Sequence, residues 1–193
     1  MFETQYFQSR PRPFYELSAS IFPSQVFKPS YTHCFLRLLQ DKNKLHYVVT
    51  QNIDDIEKQV GIKNLNQAHG SYTNNFFCMK CNYQTTQNQI LNAASLDKAV
   101  SHCPYCGWVM KPNIVFFGES LGPFVHEYGN IVQASDLMIV MGTSLKVGPV
   151  NMLPYYARTM HKDRILLNNE IVEEFKKPSD QNKKDNVEDE NDK

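Results

Sequence analysis

Two cysteine pairs constrain this chain more than any other feature. Cys78-Met79-Lys80-Cys81 and Cys103-Pro104-Tyr105-Cys106 each place two residues between their sulfurs, and 21 residues (82–102) separate the pairs. That spacing lets both thiolates of a pair turn toward one point while the backbone makes a tight knuckle, with zinc–sulfur distances of about 2.3 Å. Gly107, just after the second pair, supplies the permissive backbone such a knuckle uses. Four thiolates complete a tetrahedral shell and leave no position for water or substrate. Cys78, Cys81, Cys103 and Cys106 are therefore expected to hold one structural zinc in an intracellular protein. The pattern is that of a metal site, not of a disulfide framework. The fifth cysteine, Cys34, sits in a helical apolar context and is expected in the core.

Zinc ribbons often bind nucleic acid, but basic residues near this one are few (Lys80, Lys98, His102 and Lys111). The formal net charge of the 193-residue chain is +0, so no global field draws in nucleic acid or anionic lipid, and neither is expected as a partner. No apolar run approaches the roughly 18 to 20 residues of a membrane span. Met1 to Arg12 has no apolar signal-peptide core, so secretion is not expected. Hydrophobic residues make up 41% of the chain, enough for a globular domain with a real core.

The body reads as α/β. Pro29-Ser30 followed by Phe35, Leu38 and Leu39 at helical spacing predicts a helix over 31–39. Leu45 to Thr50, Leu137 to Met141 and Ile165 to Leu167 are short apolar runs, as in parallel strands buried on both faces. Each ends in a polar cluster: Thr50-Gln51-Asn52-Ile53-Asp54, Gly142-Thr143-Ser144 and Asn168-Asn169-Glu170. Parallel sheets bind ligands beyond the carboxyl ends of their strands.

Ala68-His69-Gly70-Ser71 precedes the zinc module. His69 reads either as a satisfied structural histidine or as a catalyst, with Gly70 allowing close approach of backbone and ligand. The Thr50 to Asp54 cluster is either a polar site or a turn that caps a helix over 53–60. Lys111 to Glu119 predicts a short strand ended by Gly118. Its Ile114-Val115-Phe116-Phe117 run packs in the core or receives an extended peptide by strand addition. From Val172 onward almost nothing is apolar, and residues 172–193 are expected to be a disordered charged tail.

Together and in this order, these segments resemble the sirtuin family of NAD-dependent protein deacylases, most closely its cytoplasmic and nuclear branch. The resemblance runs from about Phe2 to Glu170. It includes Pro13-Phe14-Tyr15, Phe27 to His33, Thr50 to Asp54, His69-Gly70-Ser71, both cysteine pairs, Pro112 to Glu119, Gly142 to Leu145 with Val147 and Pro149, and Leu167 to Glu170. It implies a Rossmann-like parallel sheet with an inserted small zinc-binding domain at about 72–112, inside a catalytic domain spanning 1–171. It also implies NAD as co-substrate and acetyl-lysine proteins or peptides as partners. The acetyl oxygen attacks C1′ of the nicotinamide ribose, nicotinamide leaves, and an alkylimidate forms.

Residue by residue, His69 matches the general base that deprotonates a ribose hydroxyl, and Asn52 is matched as catalytic beside it. Gln51, Asn52 and Asp54 match contacts to the nicotinamide and its ribose. Gly142, Thr143 and Ser144 match a loop on the ribose and phosphates, and Asn168 and Glu170 match contacts on the adenosine side. Val115 and Phe116 match the segment that pairs with substrate and walls the acyl-lysine tunnel. Within the motifs, Asn113 stands where Asp is commoner, and Asp55 stands where a small or hydroxyl residue is usual. The family's opening strand and glycine-rich loop, and its closing strand and helix, have no counterpart here. The sheet is thus expected to be incomplete and the chain truncated at both ends. A second reading follows, in which the chain is a catalytically inactive, zinc-stabilised module that grips acyl-lysine peptides or a protein partner.

Overall fold

The computed structural model describes residues 1–21, 27–73, 75–86, 90 and 100–176. They fall into two compact units, Met1–Phe124 and Val125–Lys193.

The first unit opens on two short helices. Helix α1 (Thr4–Ser9) is capped by Glu3, whose carboxylate accepts from the N–H groups of Gln5 and Tyr6. This satisfies two of the donors a helix start leaves open. Helix α2 (Arg12–Ile21) follows. Together they bring Phe7, Phe14 and Tyr15 into a core with Tyr72, Phe76, Met110, Ile114 and Phe116. The rings of Phe7 and Phe14 meet edge to face at 5.3 Å, and Phe7 meets Phe116 in the same way at 5.2 Å. That geometry suits the ring quadrupoles. The one polar atom Tyr15 carries inward, its hydroxyl, donates to the Met110 carbonyl at 2.6 Å. Burial pushes the ionisation of that phenol well above its usual range.

Helix α3 (Tyr31–Asp41) starts at Ser30, as Pro29-Ser30 predicts. Its polar side holds it in place. Arg37 donates to the Val60 carbonyl at 2.8 Å, and Gln40 donates to the Gly61 carbonyl at 2.9 Å while accepting from the Lys63 N–H. None of its residues is buried; Tyr31 is 95% exposed, and Phe35 and Leu38 also face outward. Cys34 is exposed as well, so it is not the core residue its apolar context predicts. The helix is anchored by side-chain amide and guanidinium groups and not by its apolar stripe.

Strands β1 (Val48–Thr50) and β2 (Leu65–Gln67) pair in parallel, Val48 with Leu65 and Thr50 with Gln67, and the one-turn helix α4 (Ile56–Gln59) lies between them in sequence. The helix expected over 53–60 is shortened because Asp55 takes a left-handed conformation, φ 64°, just before it.

Strands β3 (Phe76–Cys78), β4 (Gln84–Thr85) and β5 (Met110–Pro112) form an antiparallel sheet in the order β4-β3-β5, inserted after β2. Strand β5 ends earlier than the strand expected over 111–119. Pro112 has no N–H to extend the ladder, and the chain beyond it makes single bridges, Ile114 to Gly70 and Phe117 to Glu3.

In the second unit, helix α5 (Tyr128–Gln133) precedes β6 (Leu137–Met141), and helix α6 (Leu153–Thr159) precedes β7 (Asp163–Leu167). The strands pair in parallel, Leu137 with Asp163 through Met141 with Leu167, and α6 packs against both. Leu137, Ile165 and Leu167 are exposed, so these strands are not buried on both faces as their apolar runs predict. Val172 is buried, and Arg164 donates to the Glu174 carbonyl while its guanidinium lies over the Phe175 ring. Residues 172–176 are therefore built into the fold and are not part of a tail. The rest of the expected tail, 177–193, lies outside the described residues.

The architecture is α/β, with parallel strand pairs and an inserted antiparallel cysteine module. Among the described residues no helix is long and apolar enough to cross a membrane.

Candidate functional site

The cysteine module forms first from local geometry. Strand β3 delivers Cys78 to a turn in which the N–H groups of Lys80 and Cys81 point at its sulfur, at 3.4 and 3.5 Å. Burial alone would push the Cys78 thiol up, but those two donors, together with hydrogen bonds from the Cys106 and Cys81 thiols, outweigh it and bring it down to about 7. The second knuckle closes through the Gly107 N–H donating to the Cys103 carbonyl, with Gly107 at φ 69°. The four sulfurs lie within 4.8 Å of one another. Cys78 and Cys106 are 3.4 Å apart, Cys81 and Cys103 3.5 Å, and Cys81 and Cys106 3.6 Å. A tetrahedron with zinc–sulfur bonds of about 2.3 Å has edges of about 3.8 Å, so the donor set fits zinc in type, number and spacing. Four thiolates leave no position for water, so the fit is to a structural ion.

A second cluster arises from the parallel pairing of β1 and β2. Because the strands run the same way, the turn after Thr50 and the loop after Gln67 leave from the same end of the pair. The Ala68 N–H donates to the Thr50 carbonyl at 2.9 Å, and the Tyr72 N–H donates to the Ile53 carbonyl at 3.0 Å. His69, between these two clasps, is half-buried, with Nδ1 3.1 Å from the Gln51 carbonyl oxygen. A carbonyl only accepts, so Nδ1 carries a proton, and in the neutral ring the lone pair lies on Nε2. This is the tautomer a general base requires.

Asn52 is exposed and its N–H donates to the Thr50 hydroxyl at 3.2 Å. Asp54 accepts from the Ile56 N–H at 3.1 Å, capping α4. The helix-capping reading of the cluster is met by Asp54. Gln51 orients His69.

The segment after β5 runs beside this loop. The Val115 N–H donates to the His69 carbonyl at 2.8 Å and the Ser71 N–H to the Asn113 carbonyl at 3.0 Å. The approach is so close that a Cβ at Gly70, φ 78°, would sit 2.1 Å from the Asn113 oxygen. Only glycine fits there. Val115 is half-buried next to His69, whereas the Phe116 ring points into the aromatic core. Lys111 is buried at 1% exposure, with its ammonium 3.0 Å from the Glu119 carboxylate. Burial lowers its pKa, and the Glu119 carboxylate opposes that shift. The Phe116 N–H donates to the same carboxylate at 2.8 Å. The Lys111–Glu119 pair thus ties both ends of the segment together. Sequence reasoning missed this pair, as it missed a bond of 2.5 Å from the Ser71 hydroxyl to the Asp55 carboxylate. A buried-position lysine eight residues before a glutamate, and an acid following Asp54, were the available signals.

The remaining predicted residues meet at the carboxyl ends of β6 and β7. Gly142, φ 58°, donates to the Leu167 carbonyl at 3.1 Å. Asn168 donates to the Thr143 carbonyl at 3.1 Å and to the Glu170 carbonyl at 3.0 Å, bridging the two loops. Thr143 accepts from the Leu145 N–H. Ser144 and Glu170 are exposed, and the space beside Gly142 is open. Each unit thus gathers its own predicted set: Gln51, Asn52, Asp54, His69 and Val115 in the first, and Gly142, Thr143, Ser144, Asn168 and Glu170 in the second.

A four-cysteine module with zinc-type geometry, inserted in sequence between parallel strand pairs that end in polar loops, defines a zinc-module α/β class of fold. The sequence model of the Sir2 family matches residues 1–149, and the chain belongs to that family. It is 39% identical over 176 residues to the NAD-dependent protein deacetylase sir-2.1 of Caenorhabditis elegans, covering 91% of this chain and 28% of that protein. It is 38% identical over 178 residues to the NAD-dependent protein deacetylase hst2 of Schizosaccharomyces pombe, covering 91% of this chain and 52% of that protein. A solved complex of Sir2 with a p53 peptide and NAD+ superposes with a TM-score of 0.83 at 30% identity, covering 90% of this chain and 72% of that one. The chain thus spans between about a quarter and a half of the length of these two curated relatives.

Proposed function

We propose that this chain carries the chemistry of NAD-dependent removal of acetyl and other acyl groups from protein lysine side chains, releasing nicotinamide and O-acetyl-ADP-ribose. The observation that carries the reading is the His69 imidazole, its Nδ1 against the Gln51 carbonyl and its own backbone carbonyl accepting from the Val115 N–H. NAD is the co-substrate and supplies the ribose carbon to which the acyl oxygen is transferred. In this reading Nε2 of His69 accepts a proton from a ribose hydroxyl. Asn52 and Asp54, with Gln51, surround the nicotinamide end. Gly142, Thr143 and Ser144 contact ribose and phosphate, and Asn168 and Glu170 the adenosine side. The fit rests on donor chemistry: the open, positive-φ Gly142 next to exposed hydroxyl and amide groups at strand ends suits a phosphorylated ribose. In this reading the acyl-lysine peptide lies along the segment of Val115 and Phe116.

Residues 1–171 act as the catalytic domain, and the module at about 72–112 holds the structural zinc away from the reacting atoms. The four reduced thiols suit the cytoplasm or nucleus.

The test is nicotinamide release from NAD+ and an acetyl-lysine peptide by the purified zinc-loaded chain. The reading expects product that His69→Ala lowers by about 100-fold or more. Peptide binding without release, at wild-type levels in His69→Ala, would replace it with the inactive binding-module reading.

A further inference from the structure

We infer that Asp55 is a positioning residue for His69, its carboxylate fastening the loop that carries the imidazole to the turn that orients it. Only the kinetic arm of the test below rests on the proposed function. Asp55 occupies the position before α4 where an acid ordinarily caps the helix, yet its side chain makes no capping bond; Asp54 does that instead. Both Asp55 oxygens are turned elsewhere. Oδ1 accepts from the Gln67 amide at 2.5 Å and from the Lys58 ammonium at 2.9 Å, and Oδ2 accepts from the Ser71 hydroxyl at 2.5 Å.

Gln67 and Ser71 stand two residues on either side of His69. Asp55 is 6% exposed and Ser71 0% exposed, so neither bond is exchanged readily for water. The Ser71 hydroxyl in turn accepts from the Thr73 N–H at 3.2 Å, which extends the tie beyond the loop. The backbone clasps at Ala68 and Tyr72 hold any sequence, but these side-chain bonds set where the 67–71 loop sits relative to the Gln51 carbonyl. The contact that moves when they are lost is the 3.1 Å approach of His69 Nδ1 to that carbonyl. The left-handed backbone at Asp55, which glycine or asparagine adopts at less cost, is accepted in exchange for the carboxylate.

The experiment uses the full zinc-loaded chain with 15N-labelled histidine rings, His69 being assigned through His69→Gln. Long-range proton–nitrogen spectra report which ring nitrogen bears the proton. The wild type is expected to show one neutral tautomer with the proton on Nδ1. Asp55→Ser is expected to give a tautomer mixture, and Asp55→Asn, which keeps an acceptor for Ser71, to restore most of the wild-type signal. In the kinetic arm, Asp55→Ser lowers kcat on the order of 10- to 100-fold, with KM for peptide within about twofold.

A lower melting temperature with an unchanged His69 tautomer and unchanged kcat overturns the assignment, because that is what a purely structural acid would do. Should Asp55→Ser not fold, Ser71→Ala carries the same spectral comparison, with Asp55→Asn as the control that keeps most of the wild-type signal, and a wild-type tautomer in Ser71→Ala overturns it. Absence of nicotinamide release from the wild type refutes the proposed function and leaves the spectral result to decide the role of Asp55.

Discussion

Removing Glu119 should cost more than removing the lysine it pairs with. The Lys111 ammonium sits at 1% side-chain exposure, 4.2 Å from the Phe116 ring centroid and 5.2 Å from that of Phe77, and it also donates to the Ile114 carbonyl. In Glu119→Ala that cation stays buried without its counter-charge, and the Phe116 N–H loses its acceptor. Breaking a fully buried pair from one side costs about 3–5 kcal/mol. The Glu119 side chain is 24% exposed, so water screens part of the loss and brings the expected cost below that range, to about 2–3 kcal/mol. Lys111→Met keeps the apolar stem and removes the charge. It leaves the Ile114 carbonyl without a donor while Glu119 turns to water, about 1–2 kcal/mol. The double variant should therefore be more stable than Glu119→Ala alone, because the stranded cation is gone. Calorimetry reads this as melting shifts of roughly 2–4 °C per kcal/mol for a chain of this size. A Glu119→Ala shift under about 2 °C, or a double variant that is the sum of the singles, would refute the argument.

Two further outcomes are expected. A strong chelator should strip about one zinc per chain, with loss of the Tyr72–Phe76 packing seen in near-UV circular dichroism, and Cys78→Ser should reproduce this without chelator; a module that keeps its signal after metal removal would show that the strands alone hold it. Burial opposes ionisation of Asp55, but hydrogen bonds from Ser71, Lys58 and Gln67 outweigh it and hold its carboxyl below the usual range. Its stabilising contribution is then complete above the unfolded value of about 3.9 and lost as pH falls through the depressed folded value. The stability gap between wild type and Asp55→Asn should be constant from pH 5 to 7 and close under acid, measured by urea titration; a gap that instead widens toward pH 3 would contradict that sign.

What the sequence showed and what it hid divide by range. The cysteine knuckles are set by spacings of three residues, so ligand identity, the role of Gly107 and the closed shell were all readable. The start of α3 was legible for the same reason, since Ser30 and Pro29 act locally. Its orientation was not. The apolar stripe predicted a buried face, but Arg37 and Gln40 find carbonyls on the 60–61 turn and fix the helix by its other side. Cys34 went wrong with it. Pro112 is visible in the sequence, but the apolar run after it reads as strand all the same, and only the structure shows β5 stopping there. Partners such as Asp55 with Ser71 and Lys111 with Glu119 join loops through tertiary pairing, which no periodicity encodes. Only the presence of a spare acid and a lysine in an apolar run hinted at them.

The single bridges that hold the 113–117 segment have a consequence for synthesis. On one flank the Phe117 N–H donates to the Phe2 carbonyl, and the Phe2 ring packs on Phe14 and Phe116. Phe116 and Phe117 are more than 100 residues from Phe2 in the chain. At about 5–20 residues per second, the aromatic side chains of α1 and α2 leave the ribosome roughly 5–20 seconds before Met110 and Phe116 exist to cover them. During that interval Phe7, Phe14 and Tyr15 are an uncovered hydrophobic cluster, open to chaperone capture or mispairing. The histidine loop acquires its final neighbour only when the last of unit one emerges, so vectorial folding completes this site late.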